Sequence, residues 1–365
     1  MAIHRISRID VLPASLPVKS HEDSSRGHAQ QHVFLRLETD GGAIGWGEAR
    51  ALPSWTGETL EAITAALRNY FTPVLLGINP FARNAVFRTL DEFVTGALPA
   101  TKAAVDMALH DLQGKIADVP VHELFGGRTR DRLPLSHSVR ADNPAAMGEA
   151  ARRHHDSRCL KVKVTGDPGL DAERLAAVVE GAPQCEIWLD ANQSYTPTSA
   201  LQFLERIRSS RRVACLQQPV QAADWLGMAR LRERSFLPLA VDEGFNSATD
   251  VPRLAQLQVA DLVVLKLCKS GGLRDLLQAA DAARLAGLDL LGSGLTESGV
   301  GLAAAVHVFS VLSFRLPAQL NGPQYLQDLC VAGLEIDASG IKVPTGPGLG
   351  VEVDEERIRA HAIEV

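Results

Sequence analysis

The sequence predicts an α/β protein, a parallel (β/α) barrel preceded by a smaller α+β domain. Three observations predict it. An antiparallel hairpin pattern opens the chain, short apolar runs then alternate with helical patterns from residue 133 onward, and five successive runs each end in a polar residue of ligand or acid/base type.

The 365 residues allow two domains, or a barrel with attachments. Hydrophobic residues make up 46% and charged residues 22%, close to a soluble globular average, so a sizeable core is expected. A net charge of -6 gives no reason to expect nucleic acid. The one dense basic run, Arg206, Arg208, Arg211 and Arg212, reads as a solvated face. No apolar run reaches the roughly 20 residues needed to span a membrane, and the N-terminus lacks a signal-peptide core, so no membrane association is expected. The five cysteines are scattered with no Cys-x-x-Cys spacing, which suggests neither a disulfide framework nor a zinc site. A reducing cytoplasm is the expected compartment.

Residues 3–12 and 32–39 read as strands, and Asp40-Gly41-Gly42 is a hairpin signal before a third strand over 43–48. Two loops stand out. The polar loop 18–31 is too long for a turn, and 51–57 places Trp55 between Pro53 and Gly57, as a binding lid or as a small local core. From 58 to 117 apolar residues recur at helical spacing, and Phe125-Gly126-Gly127 ends the helices. From 133 the β runs are 133–139, 159–164, 186–191, 213–217, 239–241, 262–267, 288–292 and 315–320, with helices such as 171–180, 197–208, 271–286 and 299–312 between them. The alternative is an open doubly wound sheet, but no G-x-G-x-x-G opens its first crossover. After Gly322-Pro323 the chain becomes Gly/Pro-rich and is expected to pack back on the N-terminal domain.

Cys159-Leu160-Lys161-Val162-Lys163-Val164 alternates, so Lys161 and Lys163 share one face of an apolar strand. Alone, this fits lysines in water as well as amines inside a barrel, where desolvation lowers their pKa toward general-base range. The strand ends decide the reading. They carry Lys163, Asp190, Gln217, Asp242 and Lys266, spaced 24 to 27 residues apart. One carboxylate there is explained by a helix N-cap, but five ligand-type residues at equivalent places are not. Oxygen donors on three adjacent strands suit a hard cation, Mg2+ above all, flanked by lysines able to move a proton next to a carboxylate.

These motifs, together with Gly45-Trp46-Gly47-Glu48, the helix 101–112, Asp190-Ala191-Asn192-Gln193 and Lys266-Leu267-Cys268-Lys269-Ser270-Gly271-Gly272, resemble the enolase superfamily. Within it the chain is similar to the muconate lactonizing enzyme (mandelate racemase/muconate cycloisomerase) subgroup. The resemblance implies a modified TIM barrel of (β/α)7β type over 131–325, under an α+β capping domain formed by 1–130 and the tail 326–365. It implies that Lys163 and Lys266 are the acid/base pair, that Lys161 supports the substrate carboxylate, and that Asp190, Gln217 and Asp242 hold Mg2+ with Asn192 nearby. The loops at 18–31 and around Trp55 would form the lid. There is one departure: Gln217-Gln218-Pro219 stands where the family has Glu-Gln-Pro. A weaker working site, a specialised or metal-poor relative and an engineered substitution all remain open explanations.

Gln319-Leu320-Asn321 lacks the Asp-x-Asp of dipeptide epimerases, which argues against that activity. Glu297 has a cycloisomerase counterpart and is equally a loop carboxylate; it is expected in the substrate pocket together with Trp55, Asn192 and Asn321. Trp55 is also suited to an alkylated ammonium. The expected function is racemisation or epimerisation of a small carboxylic acid such as an N-substituted amino acid or betaine. Cycloisomerisation, dehydration and a non-catalytic binding role are the alternatives. A homo-oligomer is expected.

Overall fold

Strands Ile6–Pro17, Ala29–Thr39 and Ile44–Arg50 form an antiparallel sheet in chain order. The computed structural model describes residues 4–19, 29–94 and 98–365, so positions 20–28 of the expected lid lie outside the described residues. Helix Pro99–Ala117 packs on this sheet with fifteen of its 19 residues buried. A helix enclosed on all sides loses the one-sided apolar stripe of a surface helix. Gly45 and Gly47 permit the close approach, because a Cβ at either would strike the Ala108 or Ala104 carbonyl. Asp111 ties the layers together, accepting from the Trp46 amide at 2.9 Å and from the Leu349 amide of the C-terminal segment at 2.8 Å.

Glu48 fastens this cap to the barrel. Its buried carboxylate accepts from the Ser298 amide (2.7 Å), the Ser298 hydroxyl (2.6 Å) and the Gly301 amide (2.8 Å), at the start of helix Gly299–Ser310. His32 Nδ1 lies 2.7 Å from the same carboxylate. Burial pushes the Glu48 carboxyl up, but His32 and the Ser298 donors outweigh it and hold it below the usual range.

The barrel strands are His137–Val139, Cys159–Lys163, Glu186–Asp190, Val213–Gln217, Leu239–Val241, Leu262–Leu265 and Asp289–Gly292, joined in sequence as a parallel sheet. The helices between them start where the sequence supplies caps. Asp167 accepts from the Gly169 and Leu170 amides ahead of Pro168–Gly181, and Thr196 and Ser199 form a capping box ahead of Pro197–Arg206.

Two expected strands differ. The run 133–139 divides: Arg132–Leu133 pairs with Gly340–Lys342 of the tail, while only His137–Val139 enters the barrel. Pro134, which has no N–H to give a ladder, stands at the break. The run 315–320 forms no ladder strand; Ala318 and Gln319 make single parallel bridges to Leu135 and Ser293 and so close the barrel. The tail also reaches the N-terminal sheet, where the Ile363 amide donates to the Pro13 carbonyl at 3.1 Å. Arg206, Arg208, Arg211 and Arg212 are exposed. Among the described residues no helix is long and apolar enough to cross a membrane.

Under the barrel helices His307 is fully buried. Its Nε2 lies 3.0 Å from the Leu349 carbonyl and so carries the proton, which leaves Nδ1 to accept from His122 Nδ1 at 3.0 Å. Burial, reinforced by His122, pushes the His307 pKa down to about 4. Between an ordinary value near 6.5 and that value, the unfolded chain binds a proton that the folded chain refuses. Stability therefore falls as pH drops through this window, by up to about 1.4 kcal/mol per pH unit. Denaturant titrations at several pH values should show a steeper acid loss in the wild type than in His307→Gln, and parallel curves would remove His307 as the cause.

Candidate active site

Pairing across the second, third and fourth barrel strands sets Lys163, Asp190 and Gln217 level with one another, one layer above Ser138, Lys161 and Trp188. Both lysines point inward, and Lys161 is 2% exposed, so the barrel-interior alternative is the one adopted. Lys161 Nζ lies 3.1 Å from Asp190 Oδ2 and 4.2 Å over the Trp188 ring. It also donates across the barrel to Ser293 Oγ at 3.4 Å. Lys163 Nζ donates to Asp190 Oδ2 at 2.6 Å and to Asn192 Oδ1 at 2.5 Å. Burial drives the Asp190 carboxyl up, but Lys161 and Lys163 pull it well below the usual carboxylate range. Asn192 sits at φ 41°, a left-handed position that asparagine tolerates, and its Nδ2 donates to Glu243 Oε1 at 3.0 Å.

Lys266 follows the sixth strand, diametrically opposite the second in an eight-position barrel. It donates to Asp242 Oδ2 at 2.6 Å, and its Nζ stands 3.4 Å over the ring of Trp55, which the cap loop lowers onto it. Burial, with Lys161 and Lys269 nearby, outweighs Asp242 and brings Lys266 down to about 8. A lysine at that value supplies neutral amine near neutral pH. Lys269, one helical turn beyond Lys266, donates to Asp242 Oδ1 at 2.8 Å and to the Asp242 carbonyl at 2.6 Å. Burial raises the Asp242 carboxyl, while Lys266 and Lys269 hold it low.

Lys161, Lys163, Asp190, Asn192 and Lys266 converge on one cavity of about 330 Å³, roofed by Leu52 and Trp55 of the cap and bounded by Asn321. Glu297 is not among its lining residues: its Oε2 turns into its own loop and accepts from the Leu295 amide at 2.8 Å. Burial raises the Glu297 carboxyl. Next to it Thr296 lines the cavity at φ 67°, a strained conformation for a β-branched residue. Lys269, Glu243, Ser293 and Arg140 were not singled out from the sequence. The signal for Lys269 was present in the i,i+3 spacing from Lys266, and Arg140 stands at the end of the first barrel strand, one residue past the expected run.

Residues 6–126 match the Mandelate racemase / muconate lactonizing enzyme, N-terminal domain, and residues 145–357 match the Enolase C-terminal domain-like family. The chain belongs to the enolase superfamily. It is 30% identical to an N-succinyl-L-Arg/Lys racemase of Bacillus cereus over 97% of each chain. It is 32% identical to a chloromuconate cycloisomerase of Cupriavidus necator over 92% of each. The structure of a muconate lactonizing enzyme from Pseudomonas putida superposes with a TM-score of 0.91 at 28% identity, covering 98% of this chain and 100% of that one. The barrel is thus the modified TIM barrel of the muconate lactonizing enzyme subgroup, and the chain is an enzyme of this superfamily with racemase and cycloisomerase relatives.

The donor set fits a hard cation. Gln217 lies between Asp190 and Asp242 on the strand between theirs; its Nε2 donates to Asp242 Oδ2 at 2.6 Å and its Oε1 is buried with no hydrogen-bond partner. Glu243 Oε2 is a second buried acceptor without a donor. Buried oxygens of this kind call for a donor or a cation. Among the described residues no three His, Cys, Asp or Glu side chains converge as a metal site, and Gln217 stands on the strand between those of Asp190 and Asp242. Affinity for a divalent ion rises with ligand charge, so calorimetry should show Gln217→Glu binding Mg2+ about tenfold or more tighter than the wild type. Equal affinities would show that the amide weakens nothing. Lys269→Met removes one partner of a buried ion pair and should cost about 3 kcal/mol in denaturant titrations; an unchanged midpoint would deny it that role.

Proposed function

We propose that the enzyme abstracts the proton α to a carboxylate and returns it, racemising or epimerising a small N-substituted amino acid. The observation that carries this reading is the pair Lys163 and Lys266, which reach one cavity from opposite barrel strands. A planar enediolate formed between them can be reprotonated on either face. Lys161, buried below Asp190, would hold the substrate carboxylate, a role that its charge and its place on the cavity wall support.

In one direction Lys266 takes the α-proton as a free amine, helped by its lowered pKa. Lys163, hydrogen-bonded to Asp190 and Asn192, returns a proton as an ammonium. For the opposite stereoisomer the two exchange roles. A Mg2+ ion held by Asp190, Gln217 and Asp242 would supply positive charge to the developing enediolate oxygens. Leu52 and Trp55 keep water from the reacting carbon.

The similarity to an N-succinyl-L-Arg/Lys racemase supports an N-acylated amino acid as substrate. A betaine fits less well, since Lys266 occupies the Trp55 face that would hold its ammonium. The similarity to chloromuconate cycloisomerases supports cycloisomerisation as the second reading on the same lysines.

Solvent deuterium exchange at the α-carbon of N-acyl amino acids, measured with Mg2+, tests the proposal. The wild type should exchange both stereoisomers of its substrate, whereas Lys163→Ala and Lys266→Ala should each lose exchange of at least one. Full activity in both variants would overturn the assignment. Binding without exchange of any acid would favour a non-catalytic binding role.

A further inference from the structure

Lys161 is buried, and its oxygen partners stand above it and across the barrel. Asp190 Oδ2 lies 3.1 Å from its Nζ and Ser293 Oγ 3.4 Å. Ser293 commits its own proton to Gln319 Oε1 at 2.8 Å, so toward Lys161 it can act only as an acceptor. Toward the strand starts the barrel interior is apolar, with Trp188 packed among Cys159, Leu262, Leu291 and Leu316. Cys215, level with Trp188, adds no counter-charge, because burial pushes its thiol up to about 12. What meets Lys161 from this side is the face of Trp188, whose ring centre lies 4.2 Å from Nζ.

The register brings the two side chains together, since Lys161 pairs with Trp188 across the second and third barrel strands. Trp188 is fully buried and is not among the described residues that line the cavity. Its Nε1 is buried without an acceptor, although a buried indole N–H usually finds one. Hydrogen bonding therefore does not account for a tryptophan at this place. Packing alone would be served by an aliphatic side chain, which leaves no orphaned donor. The indole face offers what an aliphatic chain lacks: a region of negative potential, stronger than that of phenylalanine, on which a cation rests in a dry interior. Asp190 is also a proposed ligand of Mg2+ and would share its oxygens, whereas a ring face ligates no hard cation and stays with Lys161.

We propose that Trp188 is a positioning residue, the seat on which Lys161 rests so that its charge stays beneath the substrate carboxylate. The role of Lys161 toward substrate rests on the proton-transfer reading; its contact with Trp188 does not.

The test replaces Trp188 site-specifically with mono-, di- and tetrafluorinated tryptophan, which keep the shape of the ring nearly unchanged while withdrawing electron density from its face. Denaturant midpoints should fall with each fluorine in the otherwise wild-type protein and hold level in Lys161→Met. Equal slopes in the two backgrounds would overturn the proposal and make Trp188 a filler of the barrel. Should Lys161→Met not fold, the wild-type series decides alone, and a midpoint that does not fall with fluorination overturns the proposal. Proton exchange at the α-carbon of N-acetyl amino acids, measured with Mg2+, reads the consequence at the site. KM should rise by roughly tenfold across the series, the scale of one desolvated cation–π contact, with kcat nearly steady. A KM unmoved by fluorine would overturn the positioning role. Lys161-dependent midpoints without exchange of any acid would remove the proton-transfer reading and leave the contact standing; exchange with level midpoints would do the reverse.

Discussion

The site depends on keeping lysine ammonium groups and carboxylates out of water in alternation. Asp190 is held between Lys161 and Lys163, and Asp242 between Lys266 and Lys269. Taking each ion from water costs several kcal/mol, and removing any one leaves its partner uncompensated. Such a lattice is a poor way to gain stability and a good way to set reactivity. It holds two carboxylates ionised below their usual range and brings Lys266 to a pKa at which it can accept a proton. Gln217 enters this lattice as a neutral member, donating to Asp242 on one side and leaving an acceptor bare on the other.

Low dielectric at the mouth of a barrel needs a cover, because strand ends face solvent. The cap provides it and is itself anchored by buried charge. Glu48 collects donors from Ser298 and Gly301, so the sheet that bears the Trp55 loop is tied to the helix that follows the seventh barrel strand. Trp55 then rests on Lys266, exchanging water for a ring face that tolerates a cation without stabilising it as water does. Lys266 is thus enclosed from both domains, by Asp242 of the barrel and by the Trp55 ring of the cap.

Much of this was legible in the residues themselves. The alternation at Lys161 and Lys163 fixed a common face, and the regular march of Asp190, Gln217, Asp242 and Lys266 placed one polar side chain at the end of each successive strand. Those signals survive because strand periodicity and barrel topology are local and repetitive. What was misread is equally instructive. The run 133–139 looked like one strand, yet Pro134 divides it between the tail and the barrel. The run 315–320 looked like an eighth strand, yet only single bridges at Ala318 and Gln319 close the circle. Glu297 was expected in the pocket, but a hydrogen bond to the Leu295 amide turns it into its own loop.

By itself the sequence determined the barrel, the order of its polar strand ends and the substitution of an amide for a carboxylate at Gln217, since each follows from residue type and spacing. Only the tertiary structure decided which charges meet. That Lys269 shares Asp242 with Lys266, that Asn192 links Lys163 to Glu243 and that Trp55 covers Lys266 all depend on register and loop conformation between segments distant in the chain. Electrostatic energy at such sites varies with ångström separations and burial, and neither quantity exists until the chain has closed on itself.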